Sequence, residues 1–138
     1  KHKNSMERIF TTPCHIRKNT PTLRQKLAEL GYKLNNGKWM GKYLATFRIK
    51  ATQEWRYVAS PKWDLQNNPD LDISIDCGDN EDIFLAIAGL RDDSDICQWF
   101  ISPEGIWVYN KGNESILEVS DKWRKASVEE IINHFKDK

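Results

Sequence analysis

Residues 71–90 read LDISIDCGDNEDIFLAIAGL, and the change of rhythm within them decides the fold class. Leu71, Ile73 and Ile75 alternate with Asp72, Ser74 and Asp76. That period of two belongs to a strand with one buried face and one solvated face. Gly78, Asp79 and Asn80 end it. From Ile83 to Leu90 the side chains are apolar almost all round, so the spacing predicts a helix covered on most sides, at the centre of a core. Asp79 is the expected cap of this helix, with Asp82 in its first turn. Gly89 within it weakens the helix by up to about 1 kcal/mol relative to alanine, which points to close backbone packing. A half-buried strand feeding a buried helix places the chain in the α+β class.

Upstream, Arg8 to Arg17 reads as an extended element interrupted by Pro13, which suggests an edge or irregular strand. Thr20 and Pro21 then form a helix start, and Leu23, Leu27 and Leu30 make one apolar stripe closed by Gly31. Asn36-Gly37 is the strongest hairpin pair in the sequence and is expected to fold Lys33 back against Trp39. Tyr43 to Ile49 and Trp55 to Ser60 alternate as two strands. Residues 61–70 are rich in turn formers.

Downstream, Asp92 to Asp95 makes a polar break. Ile96 to Ile101 and Ile106 to Tyr109 flank a Pro103-Gly105 turn as a strand pair, and Ile116, Leu117 and Val119 suggest a third strand. Ser127 with Glu130 three residues on is a capping box, followed by the stripe Val128, Ile131, Ile132 and Phe135. The expected architecture is an antiparallel or mixed sheet with about three helices packed against it. Residues 7–138 form a single compact domain on this reading, and residues 1–6 a frayed or non-native leader. Thr20, Leu23, Leu27, Ala28 and Leu30 also align with Asn80, Ile83, Ile87, Ala88 and Leu90 at an offset of 60, raising a pseudo-duplicated strand–helix–strands unit.

At 138 residues, with 39% hydrophobic residues and six tryptophans, the chain can build a core without a disulfide or a metal. No apolar run reaches the roughly 18 residues of a membrane span. Three cysteines, Cys14, Cys77 and Cys97, suit reduced thiols and a cytoplasmic location better than a disulfide framework.

Charge is unevenly distributed along the chain. Residues 1–60 carry 13 Lys/Arg against 3 Asp/Glu, a net of +10, whereas residues 61–110 carry 2 against 11, a net of −9. Either the halves lie side by side and offset each other, or the surface is dipolar.

The candidate binding residues follow from that pattern. Lys38, Trp39, Lys42, Arg48, Lys50, Trp55 and Arg56 mix cations with rings, as a surface for an anionic, stacking partner requires. Asp92, Asp93 and Asp95 are a second candidate contact and lack the ligand series of a calcium loop. Three cysteines and three histidines are spaced too widely for structural zinc, and no glycine-rich phosphate loop occurs, so no metal or cofactor is expected. Cys14 and His15 are adjacent and would face opposite ways on a strand, so a thiol dyad would need Cys77 or Cys97 brought to His15. A double-stranded RNA module is excluded for residues 80–136, because 80–110 has the wrong charge for a phosphate backbone.

The sequence favours a small intracellular non-catalytic binding or adaptor protein, meeting a protein partner or a second copy of itself through the charge-asymmetric surface. The alternative is a nucleic-acid-binding accessory protein that uses 38–57. Third is a small hydrolase or thiol enzyme, which requires a concavity that gathers His15 with a cysteine or carboxylate.

Overall fold

The computed structural model describes residues 10–37, 39–61, 74–111 and 122–136. In chain order the elements are β1 (Cys14–Ile16), α1 (Pro21–Leu30), β2 (Lys33–Leu34), β3 (Tyr43–Arg48), β4 (Trp55–Ser60) and β5 (Ile75–Asp76). Then come α2 (Glu81–Ala88), β6 (Gln98–Ile101), β7 (Trp107–Asn110), β8 (Arg124–Lys125) and α3 (Val128–Phe135). The strands form a five-stranded mixed sheet, ordered β2-β4-β3-β1-β5, and a three-stranded antiparallel sheet, ordered β7-β6-β8. The fold is α+β.

The apolar stretch after residue 80 makes the central helix. Ile83, Phe84, Ala86, Ile87 and Ala88 of α2 are buried, and the helix packs on β1, α1 and α3. Leu23 and Leu27 of α1, Ile131 and Phe135 of α3, and Cys14, Ile16 and Leu44 of the sheet complete the main core. Each fully buried side chain of this size contributes about 1.5–3 kcal/mol. Tyr32 closes one end, donating its hydroxyl to the Ala88 carbonyl at 2.7 Å and stacking on Phe10 at 4.0 Å. The other face of β3 and β4 carries a smaller cluster, Ala45, Phe47 and Val58.

Several expectations are corrected. β1 is an interior strand, flanked by β3 and β5, not an edge. Pro13 sits just before the paired residues and only accepts, its carbonyl taking the Ile75 N–H at 2.9 Å, so its missing donor costs nothing. Asn36 and Gly37 do adopt positive φ, 54° and 70°, but among the described residues no hairpin forms around them. Lys33 and Leu34 instead pair in parallel with Arg56 and Tyr57, because the open edge of β4 takes them up. The cap of α2 is Asn80, not Asp79. Its Oδ1 accepts from the Ile83 N–H at 3.0 Å while its Nδ2 donates to the Phe135 carbonyl at 2.9 Å. A carboxylate could make only the first of these bonds.

Gly89 lies at the end of α2 rather than within it, and a Cβ there would meet the Cys97 and Leu85 carbonyls at 3.3 Å. Thr20 and Asn80 are equivalent caps, as the offset of 60 suggests. Beyond the helices the duplication fails, since β5 pairs with β1 and the strands after α2 build a separate sheet. The loop at 62–70, Leu71, Ile73 and the strand expected at Ile116, Leu117 and Val119 lie outside the described residues. The observed partner of β6 on that side is β8.

The capping box of α3 is complete. Ser127 Oγ accepts from the Glu130 N–H at 3.2 Å, and Glu130 Oε1 accepts from the Ser127 N–H at 2.9 Å. Arg124 adds a bidentate pair to the same carboxylate at 2.8 and 2.6 Å. The Arg124 guanidinium, helped by the Ser127 N–H, holds the Glu130 carboxyl down at about 2, against an ordinary 4.5. A depressed carboxyl stabilises the fold above its unfolded value, and that contribution is lost as pH falls toward the folded one. Stability is therefore expected to decline between pH 4.5 and about 2, with the decline reduced in Glu130→Gln. At neutral pH, Ser127→Ala is expected to cost about 1 kcal/mol. Urea melts of the variants at several pH values check both outcomes.

Candidate functional site

The basic, aromatic stretch divides into an exposed half and a structural half. Residues 39–41 lie against the residue that precedes the cap of α1, and Asn19 holds them there. Asn19 Nδ2 donates to the Trp39 carbonyl at 2.9 Å and to the Gly41 carbonyl at 2.7 Å. Its Oδ1 accepts from Arg24 Nη1, and the Arg24 guanidinium lies over the Trp39 ring, 5.4 Å from its centroid. Trp39 is left 49% exposed and Met40 69% exposed. Lys42 is exposed beside them, and Arg17 lies over the Tyr43 ring at 5.7 Å. Each cation over a ring contributes about 0.5–1 kcal/mol at exposed sites. The loop is thus anchored while its apolar tips meet water.

Three of the remaining candidates, Arg48, Trp55 and Arg56, serve the sheet. Trp55 is half-buried, edge-on to Phe10 and Tyr32 at 6.0 and 6.5 Å, with its indole N–H buried and unbonded among the described residues. Arg56 donates to Glu54 at 3.0 Å, which neutralises it. Arg48 is half-buried opposite Trp55 in the β3–β4 ladder. Lys50 is exposed in the turn, where its carbonyl accepts from Gln53 Nε2 at 2.9 Å. Lys38 lies outside the described residues. The structure brings Trp39 and Lys42 together with Met40 and Tyr43 of the same stretch and with Arg17, Asn19 and Arg24, which lie outside the 38–57 that the sequence pattern marks.

In the acidic loop, Asp93 makes a bidentate pair with Arg91 at 2.9 and 3.0 Å, and that guanidinium lowers its carboxyl. Asp95 lies 3.3 Å from Lys125 Nζ, and Asp92 is exposed. Two of the three carboxylates are therefore offset within the molecule.

Comparison with protein-family models, with curated proteins and with solved structures finds no match. Function must therefore be argued from geometry.

A cleft of about 340 Å³ lies beside the exposed loop, lined by His15, Arg17, Tyr43, Asp76, Gly78 and Asp79. His15 Nδ1 is 2.9 Å from Ser74 Oγ, and His15 Nε2 is 3.6 Å from Asp76 Oδ1. On the strand face expected to be the solvated one, Asp76 is exposed as expected, while Ser74 contacts the histidine. His15 is 7% exposed. Burial lowers its pKa, and the nearby Asp76 carboxylate opposes the shift more weakly.

The cysteines do not join this cleft. Cys14 faces α2, its thiol near Thr46 Oγ1 at 3.5 Å and the Phe84 carbonyl at 3.7 Å. The Cys77 thiol is pushed far up by the Cys14 thiol and by burial, away from the thiolate that nucleophilic chemistry needs. A larger cleft of about 600 Å³ lies among Leu30, Leu85, Cys97, Trp99, Tyr109 and Phe135. There Cys97 takes a φ of 65°, and burial with the Cys97 thiol pushes the Tyr109 phenol up to about 12. Among the described residues no cluster of His, Cys, Asp and Glu could hold a metal ion, and no helix is long and apolar enough to cross a membrane.

Proposed function

We propose that this chain is a binding protein of the cell interior that receives an anionic partner on Trp39–Tyr43 together with Arg17 and Arg24. The observation that carries the reading is the half-exposed Trp39 indole, fixed from behind by Asn19 and flanked by Arg24. Tryptophan and arginine are the usual anchors of binding surfaces. A loop already held in place loses less freedom on binding than a mobile one. The three free thiols fit a reducing compartment.

Nucleic acid is the partner that best suits two rings attended by guanidinium groups with Lys42 alongside, since bases stack on rings while phosphates meet cations. An acidic protein segment is the second reading, supported by the adjoining Met40. Self-association through opposite halves has less support. Lys18 pairs with Glu81 at 2.9 Å, so part of the basic excess is met within one molecule.

Fluorescence anisotropy with a labelled mixed-sequence single strand and with a polyglutamate peptide separates these readings. Oligonucleotide affinity is expected to fall with salt and to weaken about tenfold or more in Trp39→Ala, the loss of one stacked base. Binding of neither probe at low salt would remove the proposal, and binding of the peptide alone would leave the acidic protein segment.

A further inference from the structure

We propose that Ser74, His15 and Asp76 form an acyl-transfer centre that cleaves short-chain carboxylic esters in the cleft they line. The cleft adjoins the proposed binding surface and shares Arg17 and Tyr43 with it, but its chemistry is read out separately from binding. Two parts of the chain supply the three side chains: His15 comes from the interior strand β1, Asp76 from the end of β5 and Ser74 from the residue just before β5. β1 and β5 run parallel with His15 opposite Asp76. Residues two apart on one strand share a face, so Ser74 and Asp76 bracket the imidazole from both ring nitrogens.

The tautomer follows from the geometry. A carboxylate 3.6 Å from Nε2 favours the proton there, which leaves the Nδ1 lone pair to accept the Ser74 hydroxyl proton at 2.9 Å. Asp76 Oδ1 is itself held by the Gly78 N–H at 2.9 Å, so the group that orients the ring is oriented in turn. Burial keeps the imidazole in the neutral form that a general base requires. Arg17 lines the same cleft, with its guanidinium over the Tyr43 ring, and is the cation nearest to hand for a carbonyl oxygen that becomes negative. A cleft of about 340 Å³ with Arg17, Tyr43 and Asp79 on its walls suits a small polar ester rather than a long acyl chain.

In the reaction, Ser74 Oγ bonds to the ester carbonyl carbon as its proton passes to His15 Nδ1. The carbon–alkoxy bond then breaks, and the leaving alcohol takes that proton. Water, deprotonated by the same nitrogen, attacks the acyl-serine carbonyl carbon; the carbon–Oγ bond then breaks, and Ser74 Oγ takes the proton back from Nδ1. The products are a carboxylic acid, the alcohol and restored Ser74. Ser74 and His15 are catalytic residues, and Asp76 is a positioning residue.

The test uses the whole chain, p-nitrophenyl acetate as substrate and a fluorophosphonate as covalent probe. Wild-type protein is expected to gain one phosphonyl group at Ser74, located by peptide mass. Ester turnover is expected to fall about 100-fold in Ser74→Ala and His15→Gln, the usual contribution of a positioned base. Among the described residues, Asp76 acts on the His15 titration, and Asp79, Arg17 and Tyr43 line the cleft with it. The Asp76 carboxylate raises the His15 pKa, so Asp76→Asn is expected to move the midpoint of the pH–rate profile to lower pH. A purely structural role for Asp76 would leave that midpoint in place. No adduct on wild-type protein, an adduct elsewhere, or wild-type turnover in Ser74→Ala would overturn the proposal. The adduct is read on unaltered protein, so the outcome does not depend on a variant folding. Ester cleavage involves no contact with Trp39, so its absence would leave the anisotropy result untouched.

Discussion

Phe84→Ala is expected to lower the unfolding free energy by about 3–5 kcal/mol, the range for removing a buried phenyl ring. Phe84 is fully buried in α2, the helix that touches β1, α1 and α3 together. A cavity there would have walls from every layer, and none can close in without disturbing the others. A domain has about 5–15 kcal/mol of stability in all, so this one change consumes a large part of it. Urea unfolding followed by circular dichroism gives the value directly. A loss below about 1 kcal/mol would mean that α2 is not the centre of the core.

Gly41→Ala is expected to be nearly as costly and to abolish partner binding as well. Gly41 has a φ of 145°, where an L side chain is strained. Its added Cβ would lie 2.4 Å from the Ser60 carbonyl carbon and 2.8 Å from the Pro61 nitrogen, both backbone atoms that cannot rotate away. Strain and overlap together should cost about 3 kcal/mol. The same shift would pull the Gly41 carbonyl off Asn19 and so release Trp39. Denaturation and oligonucleotide anisotropy on one preparation read both effects. Undiminished stability with undiminished binding would show that the loop is not braced against the end of β4.

Features set by neighbours along the chain are legible in the sequence, and features set across it are not. Thr20 with Pro21, and Ser127 with Glu130, announce helix starts because a cap bonds only three residues ahead. The apolar stretch at α2 declares its own burial. In contrast, the choice of Asn80 over Asp79 turns on a bond to Phe135, 55 residues away. β2 escapes a reading of local pattern because Asn36-Gly37 describes a turn and says nothing of β4, which competes for Lys33 and Leu34. The same limit applies to the candidate site. Trp39 and Lys42 can be chosen by composition, but Asn19 and Arg24 act on Trp39 from about 20 residues upstream, through hydrogen bonds that leave no spacing pattern. Ser74 and Asp76 look like ordinary outward residues of a strand. Only the parallel register of β1 and β5 sets them beside His15.

That register also has a bearing on how the molecule assembles over time. β3 and β4 are joined by a short turn and can zip together early, whereas β1 must wait for a neighbour about 60 residues further along. Pairings between such remote segments form slowly, because the intervening loop must close before any contact rewards it. A nascent chain that has not yet emerged past residue 76 therefore holds one side of β1 open, with its amide and carbonyl groups unpaired toward the missing strand. Refolding should show a fast phase from the hairpin and a slower one from the closure of that ladder. Chaperones that shield sheet edges would act in the interval between them.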